Sequence, residues 1–537
     1  MREIPSETDV LIVGGGPVGL TLAVDLGQRG VRATLIEQKT APQRLPKMER
    51  CNARTMEMFR RMGLAERIRA AGLPAHCSMD VFIVTSLVDP PLLHLPYPSV
   101  AEARKQIAAC RDGTLPLEPY QLISQYTLEP LLKSVAETLP SISMCYGHEL
   151  LSFTQDAQSV TAQVKSAKAT TAIRAKYLVG CDGGSSIVRK SLGIKLAGEG
   201  NLLRLRQALY RCDDLYERIP IGKGRRYHVA DAQSTQMIVQ DDTRHFTLHS
   251  VVEKDADMAT MFERTCAMPV KYDMLWVGEW TQHLLLADRY RDGRVLLAGD
   301  AVHLVIPTGG LGMNTGAGDA VDLGWKLAAT LAGWGGPGLL ESYEIERRQV
   351  GERNVAASTY ASRGRRTWRA AYKPDIRDNT PEGAATRANL AKIANVEQRK
   401  TNEMIGAELG YRYVGSPLIW PEPGEGPAHD FMNYIPTTWP GARLPHVWLD
   451  DGSAIQDRIG PGYTLLRLAG KASPGPLAAA FATLHAPFSV LDIRSENARN
   501  LYGHDLILLR PDLHIVWRGN QFPADPQKLA AIATGHA

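Results

Sequence analysis

The chain has 537 residues, 44% of them hydrophobic and 22% charged, with a formal net charge of +4. That length excludes a single small binding module and calls for two or three packed units with sizeable cores. So slight a charge over so long a chain excludes a protein built chiefly to grip nucleic acid or an anionic membrane.

The opening MREIPSETDV has no apolar core flanked by basic residues, so no secretory leader is expected. No apolar run reaches the roughly 18 residues of a membrane span, and the expectation is a soluble, cytoplasmic protein. DVLIVGGG, PVGLTLAVDLGQRG and VRATLIEQ read as strand, helix and strand, a compact β-α-β unit with a glycine turn. TMEMFRRMGLAERIRAAG predicts one helix, ended by Gly72 and Pro74. Cys77 to Leu87 suits a strand, and the proline-rich residues 88–120 read as a crossing segment. LEPLLKSVAETL predicts a helix, and the alternation at 148–180 a small antiparallel sheet.

Strand-like runs cover about 203–287, with no nucleotide pattern among them, and form the candidate substrate-facing sheet. RVLLAGD at 294–300 returns to an apolar strand, and a long helix is expected from near Gly312 through DAVDLGWKLAATLAG. More helix, polar and arginine-containing, extends to about 410. In RGRRTWR, Arg363, Arg365, Arg366 and Arg369 read as a solvated helix face or a subunit contact, because no nucleic-acid reader motif accompanies them. A proline and glycine cluster at 417–445 reads as a linker before a separate small domain.

Cys51, Cys77, Cys110, Cys145, Cys181, Cys212 and Cys266 are odd in number and scattered, with no C-x-x-C pair. They predict reduced thiols and no metal site.

The strongest local signal is Gly14-x-Gly16-x-x-Gly19 between strand and helix, with Glu37 closing the second strand. Glycines there permit a tight turn and close approach of the backbone to a pyrophosphate, and the helix start offers free N–H groups. Glu37 can accept hydrogen bonds from an adenosine ribose. This unit by itself leaves FAD and NAD open.

Two later segments, YLVGCDGGSSIVRK at 177–190 and GRVLLAGDAVHLVIPTGGLGMNTGAGDAVDLGWKL at 293–327, decide between them. In order and spacing with the first unit, they resemble the single-component flavoprotein aromatic hydroxylases, of the p-hydroxybenzoate hydroxylase and phenol hydroxylase type. The resemblance implies an α/β fold: a Rossmann-like FAD-binding domain, an inserted mixed β-sheet substrate domain, and a C-terminal thioredoxin-like domain. On that basis the FAD-binding parts are residues 1–76, 121–190 and 288–415, the last including a helical segment. Substrate-domain parts are 77–120 and 191–287, a linker is 416–439, and the thioredoxin-like domain is 440–537. That last domain has no cysteine, so dithiol chemistry there is excluded.

The resemblance also implies site residues. Asp182 and Gly183 serve FAD and the incoming nicotinamide, and Asp300 reaches the ribityl chain. Gly312, Met313 and Asn314 present a helix start to the flavin pyrimidine edge, where N–H groups stabilise the negative charge of reduced flavin. Pro307 packs near the reactive edge of the isoalloxazine, Arg54 approaches the cofactor, and Gln125 contacts ribityl and ring. Glu49 matches an acidic residue acting on the substrate hydroxyl, a useful base because phenolates hydroxylate faster than phenols. His228, Gln236 and His249 fall on the candidate substrate sheet, while Leu284 stands where many relatives carry an arginine.

The implied reaction is hydroxylation of a small phenolic substrate. NADPH or NADH, bound transiently, reduces FAD; dioxygen adds at flavin C4a as a hydroperoxide; and the distal oxygen passes to the ring. Resemblance to dimeric relatives implies a homodimer. Alternatives on the same scaffold are Baeyer–Villiger insertion, antibiotic or polyketide modification, and a non-catalytic FAD-binding protein.

Overall fold

The computed structural model describes residues 4–469 and 472–537. Its central sheet starts from the first apolar run. Strand Glu7–Val13 pairs in parallel with Ala33–Glu37 on one side and Thr170–Gly180 on the other. Ile142–Tyr146 and Val295–Leu297 extend this parallel layer at its two sides. Buried on both faces, such strands must be nearly all apolar; Val10, Leu11 and Ile12 are fully buried. Helices Pro17–Gln28 and Gly312–Leu331 pack on one another, which brings their two starts to the same side of the sheet. Thr170–Gly180 also carries an antiparallel extension, with Val160–Lys165 and Glu149–Gln155, where alternation was legible.

A second sheet has seven strands, in the order Asp273–Thr281, Arg204–Arg211, His245–Ser250, Gln236–Val239, Arg226–Val229, Val81–Val84 and Leu93–Leu95. One face carries Tyr227, Met237, Leu248 and Ala208, packed against Met258 and Phe262 of helix Asp257–Cys266. Period-two alternation sends the neighbouring residues, many of them polar, to the other face.

Three local expectations change. Gly63 adopts a left-handed φ of +73° and splits the helix expected at 55–72 into Ala53–Arg61 and Ala65–Ala71. The segment 88–120 contains a strand, Leu93–Leu95, and a helix, Val100–Ala109, started by a Ser99/Glu102 capping box. Strands Leu196–Glu199 and Leu284–Ala287 leave the substrate sheet and join His303–Leu304 in a small sheet of their own. Leu284 is buried there, in a position that a charged side chain could not take unpaired.

The C-terminal unit has a four-stranded sheet in the order Phe488–Asp492, Tyr463–Arg467, Leu506–Leu509, Ile515–Gly519, the first pair parallel and the rest antiparallel. Gly475–Thr483 crosses between the parallel strands, and Pro526–Thr534 packs beside it, a thioredoxin-like arrangement. Residues 416–439 carry neither helix nor strand, although Leu418 is buried in the core of this unit. No helix among the described residues is long and apolar enough to cross a membrane.

Candidate active site

A cleft of about 570 Å³ runs along the ends of the parallel strands and under the seven-stranded sheet. At one end Gly16 caps helix Pro17–Gln28, whose first turn leaves backbone N–H groups free. Gly14 has φ +113°, and a β-carbon on it would lie 2.4 Å from the Cys181 carbonyl oxygen. Gly19 plays the packing role of the motif, since a β-carbon there would meet the Gly14 carbonyl oxygen at 2.1 Å. By contrast, a β-carbon on Gly16 would have no protein atom nearer than Glu129 Oε1 at 4.0 Å, so the space over this helix start belongs to a ligand. Glu37 accepts the Gly15 N–H at 2.8 Å and the Lys39 N–H at 2.9 Å, which fixes its carboxylate at the cleft wall.

Midway, Asp182 Oδ2 accepts the Val188 N–H at 3.1 Å, while Oδ1 is buried with no partner. Burial pushes this carboxyl above its usual range. An orphaned carboxylate oxygen facing a cleft fits a ligand hydroxyl. Gly183, at φ +77°, has open space over it. Asp300 projects from the short turn Gly299–Ala301, which Asp319 anchors from below. The fully buried Asp319 accepts the Gly299 N–H at 3.0 Å and lies 2.8 Å from both His303 Nε2 and Arg347 Nε.

At the other end, Gly312, Met313 and Asn314 form the first turn of Gly312–Leu331, and their backbone N–H groups have no intrahelical partner. The Asn314 side chain is committed elsewhere. It accepts the Asn52 N–H at 2.8 Å and donates to the Arg50 carbonyl at 3.1 Å, clamping the 50–52 arm against the helix. Pro307 and Gln125 line the same space, and Gln125 donates to Glu129 at 2.7 Å. Two helix starts, an orphaned carboxylate and a glycine cradle, strung along one groove, fit FAD. The starts would meet its pyrophosphate and its pyrimidine edge, and Asp182 and Asp300 its polyol.

Glu129 gives this cleft a pH dependence. Burial, opposed by the Gln125 hydrogen bond and Lys47, pushes its carboxyl up to about 7. With a raised folded-state value, its contribution to the stability of the free protein is present below the ordinary glutamate value and is lost as pH rises through about 7. FAD binding should weaken over the same window, roughly 3- to 10-fold between pH 6 and 8, as like charge develops beside the pyrophosphate. Fluorescence titrations at several pH values should show this slope, and Glu129→Gln should flatten it.

One cofactor assignment needs correction. Arg54 does not line the cleft: its guanidinium turns toward the C-terminal unit, donating to the Asp512 carbonyl at 3.2 Å beside Glu57 at 3.6 Å. On helix Ala53–Arg61 that direction follows from the helical period, which points position 54 away from the cleft. Arg50 lines the cleft instead, held by Glu408 at 2.8 Å and the Gly309 carbonyl at 2.9 Å.

The structure brings His228, Gln236 and His249 together, as direct neighbours across three adjacent strands. Glu49 lies at the cleft wall in an ion pair with Arg226, a residue that the motifs did not single out. The arginine helix also differs from expectation. Arg363 and Arg366 face solvent, but Arg365 and Arg369 turn inward toward the polar face of the sheet, because Trp368 between them is fully buried. The tryptophan inside RGRRTWR was the available signal for an inward face.

Comparison with known proteins agrees with this geometry. Residues 7–358 match a family model described as FAD binding domain, and 437–535 one described as aromatic-ring hydroxylase, C-terminal. The chain is 32% identical to the FAD-dependent monooxygenase apdD of Emericella nidulans, over 99% of this chain and 92% of that protein. It superposes on the rebeccamycin biosynthetic enzyme RebC with reduced flavin at a TM-score of 0.89, with 32% identity over 99% of this chain and 100% of that one. A ternary complex of aklavinone-11 hydroxylase with FAD and aklavinone gives 0.82 and 28% identity, covering 99% of each chain.

Proposed function

Because the chain belongs to the single-component flavoprotein aromatic hydroxylase family, and is therefore an FAD-dependent monooxygenase, we propose that it hydroxylates a multi-ring phenolic compound of the polyketide type. The observation that carries this reading is the polar face of the seven-stranded sheet, where His228, Gln236 and His249 are neighbours across three strands and Arg226, on the same face, lines the cleft. Such a face offers several hydrogen-bonding groups across a broad plane, which suits a large oxygenated ring system better than a single small phenol. The relatives that act on large aromatic substrates, such as aklavinone, support the same size class.

Bound FAD, reduced by NADPH or NADH, supplies the activated oxygen. The protein's own groups bind, orient and exclude water. Backbone N–H groups of Gly312, Met313 and Asn314 favour negative charge at the pyrimidine edge. Pro307 shapes the space beside the reactive edge, and Asp300 and Gln125 hold the polyol side. Glu49 offers a carboxylate at the cleft wall, and in this reading it takes the proton of the ring hydroxyl, raising electron density on the ring before oxygen transfer.

The test is NADPH or NADH oxidation by the FAD-loaded protein, with oxygen uptake, peroxide and product mass recorded across single-ring and multi-ring phenols. A multi-ring phenol should stimulate oxidation and emerge one oxygen atom heavier, with little peroxide. A Baeyer–Villiger product, or stimulation by no phenol at all, would overturn the assignment. Glu49→Gln should lower the hydroxylation rate about 100-fold, the usual size of a lost acid–base group, and leave FAD content unchanged.

A further inference from the structure

A second cavity, of about 460 Å³, shares no lining residue with the cofactor cleft. Helix Gly312–Leu331 begins at the cleft, and Thr330 in its last turn lines this cavity, so the two helix ends that mark the sites stand about 27 Å apart. The cavity lies between the turn joining strands Arg291–Asp292 and Val295–Leu297 and the turn joining helices Gly312–Leu331 and Pro337–Arg369. Its floor is apolar: Leu296 is 1% exposed and Leu340 8%, and Pro337 completes it.

Neither helix end sets the charge of this space. The Ala328, Ala329 and Thr330 carbonyls accept from the N–H groups of Ala332 through Gly335, and the Gly336 and Gly338 N–H groups donate to the Thr534 and Gly535 carbonyls. Side chains therefore decide it. Asp156 lines the cavity, but its Oδ1 accepts the Gln158 and Ser159 N–H groups at 2.7 and 2.8 Å in a turn of its own. Glu344 is spent on the Tyr290 and Arg291 backbone N–H groups, at 2.7 and 3.2 Å. Arg294 donates to the Ala157 and Lys176 carbonyls, with its guanidinium 5.1 Å from the Tyr177 ring centroid. Arg291 makes no side-chain hydrogen bond or ion pair among the described residues, and its Nη1 is buried without a partner. An unmade bond from a buried cation is costly, and two guanidiniums without an ion pair leave the cavity electropositive over an apolar floor.

We propose that this cavity is a second ligand site, for a small organic carboxylate: the anion lodges against Arg291, beside Arg294, and the apolar body lies on Leu296, Leu340 and Pro337. A guanidinium with no internal counter-charge can donate two parallel hydrogen bonds to a planar carboxylate. The volume is that of a site for a small molecule, and the mixture of apolar floor and few polar groups is the usual lining of one. The proposal is independent of the oxygenase reading, because the cavity and the cleft have no residue in common.

The experiment uses the FAD-loaded protein with no reductant, so that it reads binding and is independent of turnover. 2-Naphthoate, its neutral amide and inorganic phosphate are titrated by calorimetry, with the flavin absorbance recorded in parallel to reveal any binding in the cleft. Naphthoate should occupy one site that leaves the flavin spectrum unchanged, about 10- to 30-fold more tightly than either the amide or phosphate. Arg291→Met should remove that site and Arg291→Lys should keep most of it, while Arg289→Met, on the exposed surface two residues away, should change nothing. Restoration by lysine separates loss of the anion contact from a folding defect. Naphthoate binding seen only with a flavin spectral change, equal affinity for the amide or for phosphate, or a silent site that survives Arg291→Met would overturn the proposal, whatever the hydroxylation assays show.

Discussion

Gly14→Ala is expected to yield a nearly colourless protein that binds FAD at least about 100-fold more weakly than the parent. Two costs act together. The backbone at φ +113° suits glycine, and a side chain there costs on the order of 1–3 kcal/mol. The new β-carbon would also stand 2.4 Å from the Cys181 carbonyl oxygen, a backbone atom that cannot rotate away. Relief requires moving the first glycine loop or the Cys181–Gly183 segment, and both line the cofactor cleft. Gly30→Ala separates the two effects, because Gly30 also has positive φ, at +75°, but nothing lies within 4 Å of the added carbon. That variant should lose about 1 kcal/mol of stability and retain FAD in full. If Gly14→Ala bound FAD as the parent does, the assignment of this loop to the pyrophosphate would fail.

Arg510→Met should destabilise the protein by about 3–5 kcal/mol, read by urea unfolding followed through tryptophan fluorescence. Arg510 is fully buried where the C-terminal unit docks, and it holds Glu346 at 2.5 Å, Asp512 at 2.6 Å and Asp322 at 3.1 Å. Lys326, at 2.7 Å from Asp322 and 2.6 Å from Glu346, is left to offset those two carboxylates after the substitution, while Asp512 loses its arginine outright. Asp512 is buried too, which by itself raises its carboxyl, but Arg510 and His514 hold it well below the usual range. Stability from that depressed group is present above the ordinary aspartate value and is lost on acidification through the folded one. Without Arg510 the sign reverses: the orphaned carboxyls rise, so the variant is penalised more as pH rises. The gap between parent and variant should therefore be wide at pH 8 and narrow toward pH 5. Arg458→Met, which breaks only the exposed Arg458–Asp451 pair, should cost under about 1 kcal/mol.

The buried arginines also bear on the C-terminal unit, which has no cysteine with which to do redox chemistry. Arg443 binds Glu57 on the helix that follows the 50–52 arm, and Arg510 and His514 pack on the ring of Tyr413, whose hydroxyl accepts at 3.2 Å from Arg347, the partner of Asp319 beneath the Asp300 turn. The unit thus braces the two segments that shape the cofactor cleft. Its sequence pattern indicated a small separate domain but carried no sign of this docking. Charged residues read in sequence look solvated, and they become buried only when a complementary surface arrives.

The sequence by itself determined the cofactor-binding half of the site. Gly14, Gly16, Gly19, Glu37, Asp182, Asp300 and the Gly312 helix start lie in short motifs whose backbone geometry is local, and the structure sets all but Gly19 along one cleft, with Gly19 packed beneath it. It also placed His228, Gln236 and His249 on strands of one sheet. Only the tertiary structure decided that these three are neighbours, since a shift of one residue in pairing would have turned any of them to the opposite face. It alone decided that Arg50 rather than Arg54 faces the cleft, and that Arg365 and Arg369 turn inward. The physical reason is common to these cases. A local motif specifies a backbone shape, but the side a residue faces is specified by strand register and helix docking, both set by tertiary contacts that lie outside any one motif.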